Sequence, residues 1–141
     1  MEDLQWKDEY SVGVEKLDQQ HKQILALIEQ IISRPAHDPV AIADTLAAML
    51  KYAQEHFTCE EELMQDHGYI ELAQQEKQHK YFLKKAAEFS LHAFRGDKAV
   101  LTDILDFLAK WWITHILKWD MKYKYFFQKI SAERQLPQAS A

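Results

Sequence analysis

The sequence has little of what breaks or cross-links a chain. Its 141 residues include three glycines (Gly13, Gly68, Gly96), three prolines (Pro35, Pro39, Pro137) and one cysteine, Cys59. A single cysteine excludes an intrachain disulfide and any zinc site built on several thiolates. It also fits a reducing, cytoplasmic setting. So few breakers suit a handful of long helices better than many short strands. There is no run of about 18 apolar residues, so no membrane span is expected. Residues 1–10 are charged and lack the apolar core of a cleaved export signal. The formal net charge is −5, without the basic stripe of a nucleic-acid binder. No glycine-rich phosphate loop, nucleophile elbow, internal repeat or low-complexity tract occurs.

What is present reads as one domain. Hydrophobic residues make up 48% of the chain, enough for a core at this length. Residues 1–17 form an arm whose Trp6 and Tyr10 rings are expected to pack on the body. Asp18 offers a cap for a helix over about 19–33, with Ile24, Leu25, Ile28 and Ile32 on one face. Pro35 ends it, and Asp38-Pro39 supplies a cap and first-turn proline for a second helix over about 39–66. That helix turns Ile42, Leu46, Met49, Ala53, His56, Glu60 and Leu63 or Met64 inward, and His67-Gly68 stops it. A third helix over about 70–94 faces Leu72, Gln75, His79, Phe82, Leu83 and Ala86 inward. Gly96-Asp97 makes the next break. A fourth begins near 98 and continues to about 131, carrying Ile104, Leu108, Trp111 or Trp112, and His115. These segments predict an all-α, antiparallel up-down-up-down four-helix bundle with an N-terminal arm over residues 1–134. Gln135–Ala141 reads as a disordered tail or the start of a linker.

Side chains of metal-ligating type interrupt the apolar faces: His21, His56 with Glu60, His79, and His115 with Asp120. His56 and Glu60, four residues apart, share a helix face. A lone histidine on such a face is ordinarily a hydrogen-bonded core residue. Four at similar depth on four neighbouring helices, beside an inward carboxylate that is costly to bury without a cation, point to a metal site. Imidazole and carboxylate suit iron, zinc or manganese, and spacing does not choose among them. His115 and Asp120 lie roughly 140° apart on an ideal α-helix. Either the helix is locally distorted or the carboxylate reaches across a seam. His37, His67 and His92 read as surface groups, and Cys59 as a buried structural thiol near the metal-bearing face. A ferritin-like site needs two Glu-x-x-His copies, and only Glu76–His79 supplies one.

Four stretches carry a specific resemblance. They are Trp6, Tyr10 and Val12-Gly13-Val14 leading to Leu17-Asp18-Gln19-Gln20-His21; His56-Phe57-Thr58-Cys59-Glu60-Glu61-Glu62-Leu63-Met64; Gly68-Tyr69 followed by His79; and His115-Ile116-Leu117-Lys118-Trp119-Asp120. In order and spacing, over nearly the whole chain, they resemble the hemerythrin family and its bacteriohemerythrins. The resemblance implies a bundle around two Fe ions (Fe2+/Fe3+) with a bridging oxo or hydroxo group. It places His21 and His56 on one iron, His79 and His115 on the other, and Glu60 and Asp120 across both. Gln75 stands where the family has the first histidine of His-x3-His. A water or another exogenous ligand is the favoured occupant of that coordination position, with a weakly bound Gln75 amide second.

The resemblance also implies that O2 binds at the vacant position on the His21/His56 iron. Ile24, Phe57 and Trp111 are candidates for its apolar pocket, with Ile28, Leu108 and Trp112. Trp111, one turn before His115, has the first claim. No catalytic residue is assigned. The expected function is a cytoplasmic O2-binding, oxygen- or redox-sensing module that autoxidises readily and serves a downstream signalling domain in a longer chain. The alternatives are a free-standing O2 carrier or store and a di-iron oxidase or peroxidase. Neither nucleic acid nor membrane is expected as a partner.

Overall fold

The computed structural model describes residues 5–33, 39–95 and 101–140, with the side chains of 39, 101, 102 and 132–140 left aside. A 3-10 turn, Asp8–Tyr10, precedes α1 (Glu15–Ser33), α2 (Pro39–Asp66), α3 (Leu72–Phe94) and α4 (Leu101–Thr114). A π-helical turn, His115–Asp120, joins α4 to α5 (Met121–Ser140), so α4 and α5 form one rod. No strand occurs among the described residues. The breaks expected at Pro35, Asp38 and Gly96-Asp97, and His37, lie outside the described residues.

α1 starts four residues earlier than the sequence suggested, and Asp18 is not its cap. The carboxylate of Asp18, already in the first turn, reaches back to accept from Val12 N–H at 2.8 Å and Ser11 Oγ at 2.6 Å. It thereby ties the arm to the helix start, while Gly13 turns the chain at φ 78°. Tyr10 is buried in the core, and Trp6 packs edge-on against it at 5.8 Å. On α1, Ile31 and not Ile32 completes the buried face with Ile24, Leu25 and Ile28, as the 3.6-residue period requires. α5 is helical through Ser140. The backbone of residues 135–140, expected as a tail or the start of a linker, lies within these bounds.

The core has a layered order. One apolar cluster contains Ile24, Ile28, Met49, Ala53, Phe57, Phe82, Leu108 and Trp112. A smaller one contains Val12, Leu17, Met64, Tyr69 and Tyr123. Between them, in every rod, lie the buried histidines, with Glu60, Gln75 and Asp120. Leu17, His21 and Ile24 follow one another along α1. The order is reversed along α2, from Ala53 through His56 and Glu60 to Met64. α3 runs from Leu72 through Gln75 and His79 to Phe82, and the last rod from Trp112 through His115 and Asp120 to Tyr123. This alternation is the up-down-up-down bundle seen as chemistry. No described helix is long and apolar enough to cross a membrane.

α2 ends as its sequence requires. Tyr69 N–H bonds to the Met64 carbonyl at 2.9 Å and Gly68 N–H to that of Gln65 at 3.1 Å, with Gly68 at φ 68°. That is the Schellman pattern, and Tyr69 and Met64 share the smaller cluster. A Cβ at Gly68 would meet nothing within 4 Å, so only the backbone conformation opposes a side chain. Gly68→Ala is expected to cost about 1 kcal/mol in urea unfolding, and Gly68→Asn less.

Candidate metal centre

The polar layer is closed to solvent. His21, His56, Glu60 and Asp120 are 0% exposed, and Gln75, His79 and His115 1%. α1 supplies His21, α2 His56 and Glu60, α3 Gln75 and His79, and the last rod His115 and Asp120. The π turn explains how the last pair meets. Its wider i→i+5 winding brings Asp120 Oδ1 to 3.1 Å from His115 Nε2. Of the two alternatives the spacing left open, the helix is locally distorted.

Both carboxylates lie between histidine pairs. Asp120 turns Oδ2 toward His21 Nε2 at 3.3 Å while Oδ1 faces His115. Glu60 Oε1 is 2.8 Å from His56 Nε2 and 3.7 Å from His79 Nε2. Its Oε2 is 4.0 Å from His21 Nε2 and accepts from the Tyr123 hydroxyl at 2.5 Å. Two donor groups result, His21–His56–Glu60 and Glu60–His79–His115, each within 4.8 Å, with Glu60 common to both.

A ring of supporting bonds aims these donors. Gln20 Oε1 accepts from His56 Nδ1 at 2.8 Å, and Gln20 Nε2 donates to Cys59 Sγ at 3.5 Å. Glu61 Oε2 lies 2.7 Å from His79 Nδ1. An acceptor on Nδ1 fixes the proton there and turns the Nε2 lone pair inward. His56 and His79 are held this way. His115 is held by Trp111 stacked on it at 4.4 Å, and His21 by edge packing on His56 at 4.3 Å.

The layer fits a cationic occupant on its own chemistry. Nε2 of all four histidines, Glu60 Oε1, Gln75 Oε1 and Asp120 Oδ2 are buried without a hydrogen-bond partner. Buried polar atoms are ordinarily paired. At His56, a nitrogen lone pair faces a carboxylate oxygen at 2.8 Å, which repels unless positive charge lies between. The acid–base balance says the same. Burial opposes the charged form of His21, yet Asp120 and Glu60 outweigh it and raise its pKa. Burial also pushes Asp120 up, but His115 and His21 hold it well below the usual range. Burial and Asp120 push Glu60 up, but His56 and His79 hold it low. Burial lowers His56. Burial, then Asp120 and Glu60, raise Tyr123, which therefore remains a phenol donor.

The expected pocket residues divide. Phe57 lies stacked on His79 at 3.9 Å and on Trp112 at 5.5 Å, and Ile24 is fully buried. Trp112, not Trp111, is the indole beside the His21/His56 pair, at 6.2 and 6.1 Å. Trp111 covers His115 and is only half buried. Being four residues from His115 places Trp111 over that ring, on the other donor group. Cys59 is half buried and outside both donor groups. His92 is exposed, and His67 is half buried with Nδ1 2.9 Å from the Leu63 carbonyl. Gln20, Glu61 and Tyr123 were missed. Tyr123, three residues after Asp120, carried a face-sharing signal. Gln20 and Glu61 each adjoin a donor in sequence, and only their partners on other helices reveal them.

Residues 12–126 match the model of the hemerythrin HHE cation binding domain. The chain is 28% identical to a bacteriohemerythrin of Stenotrophomonas maltophilia over 121 residues, covering 85% of this chain and 78% of that one. It is 32% identical to a myohemerythrin of Theromyzon tessulatum over 124 residues, covering 87% and 92%. A crystal structure of wild-type hemerythrin superimposes with a TM-score of 0.73 at 27% identity, covering 84% of this chain and 93% of that one.

Metal should therefore be linked to folding. Ferrous ion at about a hundred times its dissociation constant is expected to add about 2.7 kcal/mol in anaerobic unfolding. Glu60→Gln keeps the Tyr123 bond and is expected to leave metal-free stability within about 1.5 kcal/mol of the parent, while losing most of the metal-dependent gain. A full gain in Glu60→Gln would remove Glu60 from the donor set.

Proposed function

The chain belongs to the hemerythrin family of HHE cation-binding domains and is a non-haem di-iron oxygen-binding domain, and from that premise we propose that it senses oxygen or redox state. His21 and His56 would hold one iron, His79 and His115 the other, with Glu60 and Asp120 shared between them. The two donor groups that share Glu60, and the two faces of Asp120, support this assignment. When bound, the two ferrous ions supply the electrons that O2 takes up.

The chain's own residues set how that chemistry runs. Gln20 and Glu61 hold the Nδ1 protons of His56 and His79 so that both rings present Nε2. The Glu61 carboxylate also makes the His79 ring a stronger donor, which favours the oxidised state. Tyr123 keeps its proton and donates a hydrogen bond to Glu60 Oε2, fixing the orientation of that carboxylate. Trp112 packs beside the His21/His56 pair and Phe57 lies stacked between Trp112 and His79; with buried Ile24 this apolar surface keeps water from the centre.

The observation that carries the sensing reading is Gln75. It leaves the His79/His115 side with two imidazoles and an amide, a weaker hold on the ferrous state than three imidazoles. Such a donor set would favour the oxidised state once the protein meets O2, which suits a signal better than reversible carriage. A second reading, O2 carriage or storage, is favoured by the extent of the likeness, since the chain aligns with 92% of the myohemerythrin's length. An enzymatic role is not proposed. The titratable groups that reach the centre among the described residues are assigned as donors or their supports.

Stopped-flow absorption of the diferrous protein mixed with aerated buffer separates these readings. Sensing predicts full oxidation within minutes, and an oxygenated form stable for hours would instead favour carriage. Trp112→Leu, which thins the wall, is expected to oxidise about tenfold faster, a barrier change of about 1.4 kcal/mol. An unchanged rate would remove Trp112 from the wall.

A further inference from the structure

Gln75 is the one member of the polar layer that is neither imidazole nor carboxylate, and its two amide atoms have different surroundings. Nε2 donates to the Trp119 backbone carbonyl at 3.1 Å and lies 3.4 Å from Asp120 Oδ1. Both partners are acceptors, so the NH2 group must be the half that meets them. Oε1 is left buried without a partner, a costly state for a carbonyl oxygen that water would otherwise solvate. Amide bond lengths keep the two atoms within about 2.6 Å of each other. Oε1 is therefore within about 6 Å of Asp120 Oδ1, the atom 3.1 Å from His115 Nε2. It shares its unpaired state with Nε2 of His79 and His115.

We infer that Gln75 is a metal ligand in its own right: Oε1 completes the donor set of the His79/His115 ion while the NH2 half is braced by the π turn. This rests on the di-iron reading and replaces the expectation of a water or other exogenous ligand at that position. α3 then presents Gln75 and His79 one turn apart, as α2 presents His56 and Glu60. The brace joins two tasks. The amide that donates oxygen to the ion also holds the Trp119 carbonyl and Asp120, so ligand and widened turn are positioned together. An amide oxygen is a harder donor than imidazole, so this side takes ferric over ferrous iron and admits manganese more readily than a three-histidine site.

Azide titration of the diferric protein, followed by absorption, tests the inference alongside iron release to excess EDTA. With Oε1 bound, one coordination position is open and one azide binds per iron pair. Gln75→Leu opens another, so two azides bind and one iron is released about tenfold faster or more. Gln75→His keeps a donor and returns to one azide and slow release. Should Gln75→Leu fail to fold, the azide count on the unaltered protein and on Gln75→His decides. Two azides on the unaltered protein, or a folded Gln75→Leu with unchanged count and release, would overturn the ligand and leave the di-iron reading standing. Failure of every variant to take up iron would instead sink the di-iron reading, and this inference with it.

Discussion

Two carboxylates, Glu60 and Asp120, lie fully buried in the bundle, and the other parts of the centre answer the cost of placing them there. Isolated buried carboxylates cost several kcal/mol each. Four imidazoles surround them, one from each rod, and turn unpaired nitrogens toward the same interior. Protons can satisfy part of this demand, as the raised His21 shows. Metal ions answer the inward-facing part of it, because they engage the Nε2 atoms and the carboxylate oxygens at once. The layered core follows from the same constraint. Apolar clusters on both sides exclude the water that would otherwise solvate the carboxylates.

The π turn is where this demand acts on the backbone. An α-helical rod would point His115 and Asp120 to different faces. Widening a single turn brings both inward, and the Trp119 carbonyl within it accepts from Gln75. The backbone irregularity and the one departure from the family's donor set are thus neighbours in space. In the structure they form one feature: an amide that holds the turn through its NH2 half and leaves its oxygen buried without a partner.

Much of the fold was legible because the apolar period and the few breakers agree. His67-Gly68 ends α2 where the sequence placed its stop, and the six residues that the motifs singled out as donor candidates lie buried in one layer. What stayed hidden depends on contacts between segments. Asp18 looked like a cap because aspartate often is one, yet its carboxylate serves the preceding loop. Trp111 looked like the pocket wall because it is one turn from His115. That position instead lays it over His115, while Trp112 faces the His21/His56 pair. Gln20 and Glu61 look like solvent-facing neighbours of the donors until α1 meets α2 and α2 meets α3. The π turn left one trace, a five-residue spacing that no regular helix accommodates.

Whether this layer holds iron decides what the bundle is for. Metal analysis of the protein isolated in air, with its absorption spectrum, tests that directly. A pair of irons per chain, with the near-ultraviolet bands of an oxygen-bridged ferric pair, is the expected result. A folded protein that holds no iron, and takes none up when offered ferrous ion without oxygen, would contradict it.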